Sequence, residues 1–122
     1  MRTVEELNWS TTDSPGQGLP WNVSSNGLAS SIIVKSGAGA LRGFTVCSTN
    51  TGAQFILMFD RISVPANGTV PDCAWSVNAL SDRTLEYVRG RRFRRGCVLT
   101  NSSTVGTLTI GVADTFFDVQ YE

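Results

Sequence analysis

The sequence predicts an all-β fold: a two-sheet antiparallel β-sandwich, jelly-roll-like, carrying an extended N-terminal arm. Three observations predict it. From residue 30 onward, short β-branched or aromatic runs alternate with clusters of Gly, Pro, Asn, Asp and Ser. No window of twelve residues in that region sustains helical periodicity. The chain also holds 26 Ser and Thr and 12 Gly, with only 16% charged residues, against about 25% in an ordinary soluble domain. Its 122 residues are one domain's length and enough to bury a modest core.

Residues 1–29 read as the arm. Val4-Glu5-Glu6-Leu7 precedes a turn-rich stretch, 10–20, that is too polar to build a core from its own side chains. Yet Trp9 and Trp21 are two of the three tryptophans in the chain. Such large apolar groups need a covering surface, so the arm is expected to dock with both as anchors, on its own domain or on another subunit. The sandwich is expected over 30–122, with strands at 30–36, 41–49, 54–61, 74–80, 84–88, 96–101, 107–113 and 115–121. Turn chemistry separates them: Ser36-Gly37-Ala38-Gly39, Thr51-Gly52, Pro65-Ala66-Asn67-Gly68 with Pro71-Asp72, Ser81-Asp82, and Asn101-Ser102-Ser103.

Alternation marks which strands face water. Thr45-Val46-Cys47-Ser48-Thr49 and Thr107-Leu108-Thr109-Ile110 take apolar and small polar residues mostly in turn, so each buries one face. Phe55-Ile56-Leu57-Met58-Phe59 does not alternate and must be covered on both sides. Its second cover is expected from the arm, a neighbouring subunit or a long loop. Phe55, Leu57 and Phe59 are therefore the candidates for an oligomer-facing surface.

The absence of histidine excludes Ser-His-Asp and Cys-His catalysis and the commonest zinc, copper and iron ligand sets. Cys47, Cys73 and Cys97 are widely spaced, without a CxxC pair, and are expected to be reduced and largely buried. Asp60, Asp114 and Asp118 lie at or near strand ends, but no spacing rule selects a catalytic pair among ten acids. The glycines of 37–43 resemble a phosphate loop in composition only, with no helix following. Four Asn-x-Ser/Thr triplets, at Asn8, Asn22, Asn67 and Asn101, match what chance provides in so Ser/Thr-rich a chain. Residues 1–10 lack the basic start and apolar core of a signal peptide. No enzyme activity, cofactor or metal is expected, and synthesis in a reducing cytosol follows as the default.

Ten Lys plus Arg balance ten Asp plus Glu, but not evenly in space. Between residues 83 and 96 stand Arg83, Arg89, Arg91, Arg92, Arg94 and Arg95 against Glu86 alone. Phosphate backbone is one conceivable partner for such a cluster, with Phe93 available to stack on a base. The neutral chain as a whole, and the bidentate fit of arginine to carboxylates, favour a protein interface instead.

The phrases Leu41-Arg42-Gly43-Phe44-Thr45-Val46, Gln54-Phe55-Ile56-Leu57-Met58-Phe59-Asp60 and Val64-Pro65-Ala66-Asn67-Gly68-Thr69-Val70-Pro71 resemble small virion proteins of tailed bacteriophages. So does the C-terminal stretch from Gly96-Cys97-Val98-Leu99-Thr100 to Asp118-Val119-Gln120-Tyr121. The resemblance covers roughly residues 40–121, leaves the arm unmatched and includes no catalytic motif. It implies a jelly-roll-like fold and a structural role as a capsid decoration or cement protein on the virion exterior, made in the bacterial host cytoplasm. The implied partners are the major capsid protein and further copies of the chain, as a dimer or trimer, with neither membrane nor nucleic acid. The alternative is a receptor- or carbohydrate-binding module of a tail or head fibre, with Trp75 and Tyr87 stacking on sugar rings.

Overall fold

The computed structural model describes residues 19–122, so Trp9 lies outside the described residues. Eight strands follow in order: β1 Trp21–Ala29, β2 Ser31–Lys35, β3 Gly39–Ser48, β4 Gln54–Phe59, β5 Cys73–Val77, β6 Asp82–Phe93, β7 Cys97–Ser102 and β8 Thr115–Tyr121. They form two four-stranded sheets, β1-β8-β3-β6 and β2-β7-β4-β5, with every pairing antiparallel. The chain changes sheet at each connection except β4 to β5. This is jelly-roll connectivity, and the all-β sandwich is as the sequence predicts.

The strand period of two sorts the core. Ile56 and Met58 of β4, Cys97 and Leu99 of β7, and Phe44 and Val46 of β3 point between the sheets, where they meet Phe93, Phe117 and Val119. The alternate residues of β4 and β7 point outward and form a second cluster, Leu57, Phe59 and Val98, closed by Leu108 and flanked by Phe55 and Ile110. Leu57 and Phe59 are wholly buried. Their cover is the chain's own β7–β8 loop, residues 103–114. That loop is held by Leu108, whose N–H donates to Thr69 O at 2.9 Å and whose carbonyl accepts Gly68 N–H at 2.8 Å. The expectation that Leu57 and Phe59 face a partner is therefore corrected, because among the described residues the loop already covers them; Phe55 at the rim is only half-buried.

The same loop corrects the strand expected at 107–113, which contributes a single bridge, Ile110 to Ser102. Its alternation is real, but the residues pack down onto a sheet face and do not pair along a sheet edge.

The boundary at residue 30 is also corrected. Residues 21–29 are no free arm: β1 pairs with β8 from Trp21↔Tyr121 to Ala29↔Thr115. Val23 and Ala29 pack on the core. The pattern was masked by a bulge between Ser24 and Leu28, where Asn26 takes the left-handed conformation with φ 56°. Ser25 Oγ accepts the Phe117 N–H that the bulge leaves unpaired, at 3.0 Å. A polar Ser-Ser-Asn-Gly run thus reads as a loop while forming the middle of an edge strand.

β6 is longer than the expected 84–88. Its pairing with β3 jumps from Gly43↔Glu86 to Leu41↔Arg91, so Tyr87-Val88-Arg89-Gly90 bulge out opposite Arg42 alone. Gly90 sits at φ 82°, and a Cβ there would press on Arg42 Cδ at 3.0 Å and Ala40 Cβ at 3.2 Å.

Candidate interaction surface

β2, β4 and β6 all finish at one end of the sandwich, where β7 begins. In the second sheet Lys35 pairs with Cys97 and Phe59 with Val98, which sets the ends of β2 and β4 on either side of β7. The tight turn Arg94-Arg95-Gly96 leads into it. A Cβ on Gly96 would stand 2.5 Å from Arg61 O and 2.8 Å from Lys35 O, so three backbones meet there without room for a side chain. Lys35, Arg61, Arg94 and Arg95 consequently issue from one place.

Asp60 organises this end. Its Oδ1 accepts the N–H groups of Arg95 at 2.7 Å, Arg94 at 3.1 Å and Gly96 at 3.2 Å, while Oδ2 accepts Arg94 N–H at 2.9 Å. Asp72 Oδ2 in turn accepts the Asp60 N–H at 2.8 Å. Partial burial pushes the Asp60 carboxyl up, but the three backbone donors and the nearby Arg95 charge outweigh it and hold the group below its ordinary value. Both carboxylates thus bond to backbone. Among the described residues the one ion pair is Arg42 with Glu122, and the exposed guanidinium groups of Arg61, Arg92, Arg94 and Arg95 have no carboxylate partner.

Exposed apolar side chains share this surface. One groove is lined by Arg61, Ile62, Ser63, Pro65 and Arg95, and an adjoining one by Asp60, Arg61, Val70, Asp72, Arg94 and Arg95. Ile62 is 60% and Val70 70% exposed. Guanidinium groups interleaved with aliphatic ones are the composition of a protein interface rather than of a phosphate-binding face. Phe93 cannot stack on a base, because it is buried in the core.

The six arginines singled out from the sequence do not act as one group. Arg91, Arg92, Arg94 and Arg95 lie toward the basic end. Arg89 sits exposed on the β6 bulge beside Val88, which is 88% exposed. Arg83 lies at the far end of β6, where its guanidinium donates to Ser76 O at 3.1 Å and ties the two sheet edges together. Lys35 and Arg61 were missed. They come from the end of β2 and the residue after β4, distant in sequence from the arginine run, and only the position of Arg61 just after an apolar strand hinted at it. Trp21 opens β1 and is half exposed.

No protein-family model, curated protein or solved structure matches this chain.

The other candidates for chemistry are taken up by the fold. Trp75 packs edge-on against Phe44, with ring centroids 4.9 Å apart and planes at 73°. Tyr87 is half-buried against the same core. Asp114 is the hub of a buried polar network at the opposite end. It accepts from Asn50 Nδ2 at 2.7 Å, Asn101 Nδ2 at 3.0 Å and Thr115 Oγ1 at 2.9 Å. Gln54 Nε2 extends that network to Ser48 Oγ at 2.8 Å and Thr115 Oγ1 at 2.9 Å. The arrangement fastens the β7–β8 loop to the sheets. The three thiols are free, but their expected burial needs correcting: Cys97 is buried, Cys73 half-buried and Cys47 exposed on the outer face of β3.

Proposed function

We propose that this chain is a structural virion protein, a capsid decoration or cement protein that stabilises a phage head by binding its lattice of major capsid protein. The observation that carries this reading is the basic end, where Arg61, Arg94 and Arg95 stand among exposed Ile62 and Val70 without a carboxylate partner among the described residues. Such a surface suits a protein partner that offers acidic and apolar groups together. The jelly roll supports the same reading, because capsid domains are among the users of this architecture. Lectins use it too, but the aromatics proposed for sugar stacking, Trp75 and Tyr87, are engaged with the core.

The fold also suits the work physically. Covering the second face of β4 from within leaves the sandwich able to fold before it meets a lattice. Many symmetric contacts then supply the affinity that one small surface lacks. The test is co-sedimentation with capsid shells that lack the chain. Saturable binding is expected, reduced at least tenfold by R94E/R95E and weakened by salt. Failure to sediment with any shell, combined with a specific hit on a glycan array, would transfer the chain to the fibre-module alternative.

A further inference from the structure

We propose that, in the free protein, the basic end is the docking site of the chain's own N-terminal segment, residues 4–9. The inference concerns the unassembled chain and does not depend on the virion reading. The surface asks for a ligand with carboxylates and apolar groups in close alternation: Arg61, Arg94 and Arg95 line two adjoining grooves, one with Ile62 and the other with Val70, and the backbone of Lys35 meets that of Arg61 at Gly96. Residues 4–9 have that chemistry. In Val4-Glu5-Glu6-Leu7-Asn8-Trp9 two adjacent carboxylates are bracketed by three apolar side chains. The first 18 residues as a whole carry three carboxylates against one arginine, opposite in sign to the surface.

The topology brings the two together. β1 starts at Trp21, which pairs with Tyr121, and Tyr121 pairs in turn with Leu41. Ala40 and Glu122 exchange backbone hydrogen bonds at 2.8 and 2.9 Å, and Gly39 pairs with Phe93, the last residue of β6 before Arg94. β1 thus starts at the basic end of the sandwich, and Pro20 just before it lies beside Arg42, Gly43 and Gln120 of the first sheet. Residues 10–20 reach up to about 36 Å when extended. Crossing four strands takes only about 15 Å, and crossing between sheets about 10 Å more. A tether of this length holds the segment at an effective concentration in the millimolar range, which favours docking within one molecule over docking on a second copy.

Lys35 makes the test direct, because it is the only lysine in the chain and stands at this end. The full-length protein is treated with a water-soluble carbodiimide, which joins amine to carboxylate without a spacer, and its peptides are mapped by mass spectrometry. The expected product is an amide between Lys35 and Glu5 or Glu6 within single chains. Hydrogen exchange on the untreated protein is expected to show residues 4–9 protected at least tenfold. R94E/R95E should abolish both signals, and E5R/E6R in that background should restore the protection. E5Q/E6Q, which leaves the sandwich untouched, should also remove the protection and covers the case in which R94E/R95E does not fold. Cross-links from Lys35 only to Asp60, Asp72 or Glu122, with residues 4–9 exchanging at unprotected rates, would overturn the proposal. Cross-links that mix labels in an equimolar ¹⁴N/¹⁵N sample would overturn same-chain docking.

Discussion

Asp60 Oδ1 accepts the Arg95 N–H at 2.7 Å, so the carboxylate at the centre of the basic end grips the backbone of the arginine turn and leaves the guanidinium groups outward. A turn crowded with like charges repels itself, and a fixed negative charge beneath it offsets part of that repulsion. The same contact decides which way Arg94 and Arg95 can point.

Replacing Asp60 should therefore loosen the turn without unfolding the sandwich. D60A is expected to cost about 1–2 kcal/mol near neutral pH, toward the lower end for charged hydrogen bonds because the group is partly solvated. Hydrogen exchange should rise at the amides of Arg94, Arg95 and Gly96. The pH dependence has a defined sign. The folded carboxyl titrates below its ordinary value near 3.9, so its contribution is complete above about pH 4 and is lost as pH falls through the folded pKa. The stability gap between wild type and D60N should narrow as the pH falls below about 4 and through the folded pKa. A gap that stays constant throughout acid titration contradicts the role.

Leu108 closes the outer apolar cluster over Leu57 and Phe59, so L108A should cost about 2–4 kcal/mol in chemical denaturation. L108D should expose that cluster and cause aggregation, which size-exclusion chromatography with light scattering reads directly. A loss below about 0.5 kcal/mol for L108A would mean that the cover is not formed by the loop.

Two carboxylates that look alike in sequence should behave differently. D114A removes the acceptor of Asn50 Nδ2 and of the buried Thr115 hydroxyl and weakens the Asn101 contact, and is expected to cost about 2–4 kcal/mol. D118A removes a half-buried side chain that makes no hydrogen bond among the described residues, and should stay within about 0.5 kcal/mol. Equal effects in thermal or urea melts would contradict the division.

The thiols should react in order of exposure. Cys47 is expected to modify with a disulfide reagent within the mixing time, Cys73 more slowly and Cys97 only on unfolding. Burial pushes the Cys97 thiol up to about 12, which keeps the reactive thiolate scarce at neutral pH. Peptide mapping after brief labelling checks this. Modification of Cys97 at the rate of Cys47 would show that the core is open.

The inward residues of β3 and β8 were legible because a period of two survives in the sequence wherever one face is buried, and β4 was legible as an unbroken apolar run covered on both faces. β1 was not. Its middle is a bulge of Ser25, Asn26 and Gly27, and its stability comes from β8, nearly a hundred residues away. The loop over Leu57 and Phe59 was misread for the opposite reason: 107–113 alternates as a strand does, yet uses that alternation to seal a face. For the surface, Arg94 and Arg95 were visible as a run of charge. Lys35, Arg61 and Asp60 join them only through the register of β2, β7 and β4, which no local pattern encodes.

The proposed role of this chain is as a part of a virion shell, held by its basic end. Cryo-electron microscopy of intact particles, with the chain's peptides identified in the same preparation, tests it most directly. The expected result is density for an eight-stranded sandwich on the outer face of the head, with Arg61, Arg94 and Arg95 directed at the major capsid protein. Heads without the chain, or particles carrying it only at the tip of a fibre, would contradict it.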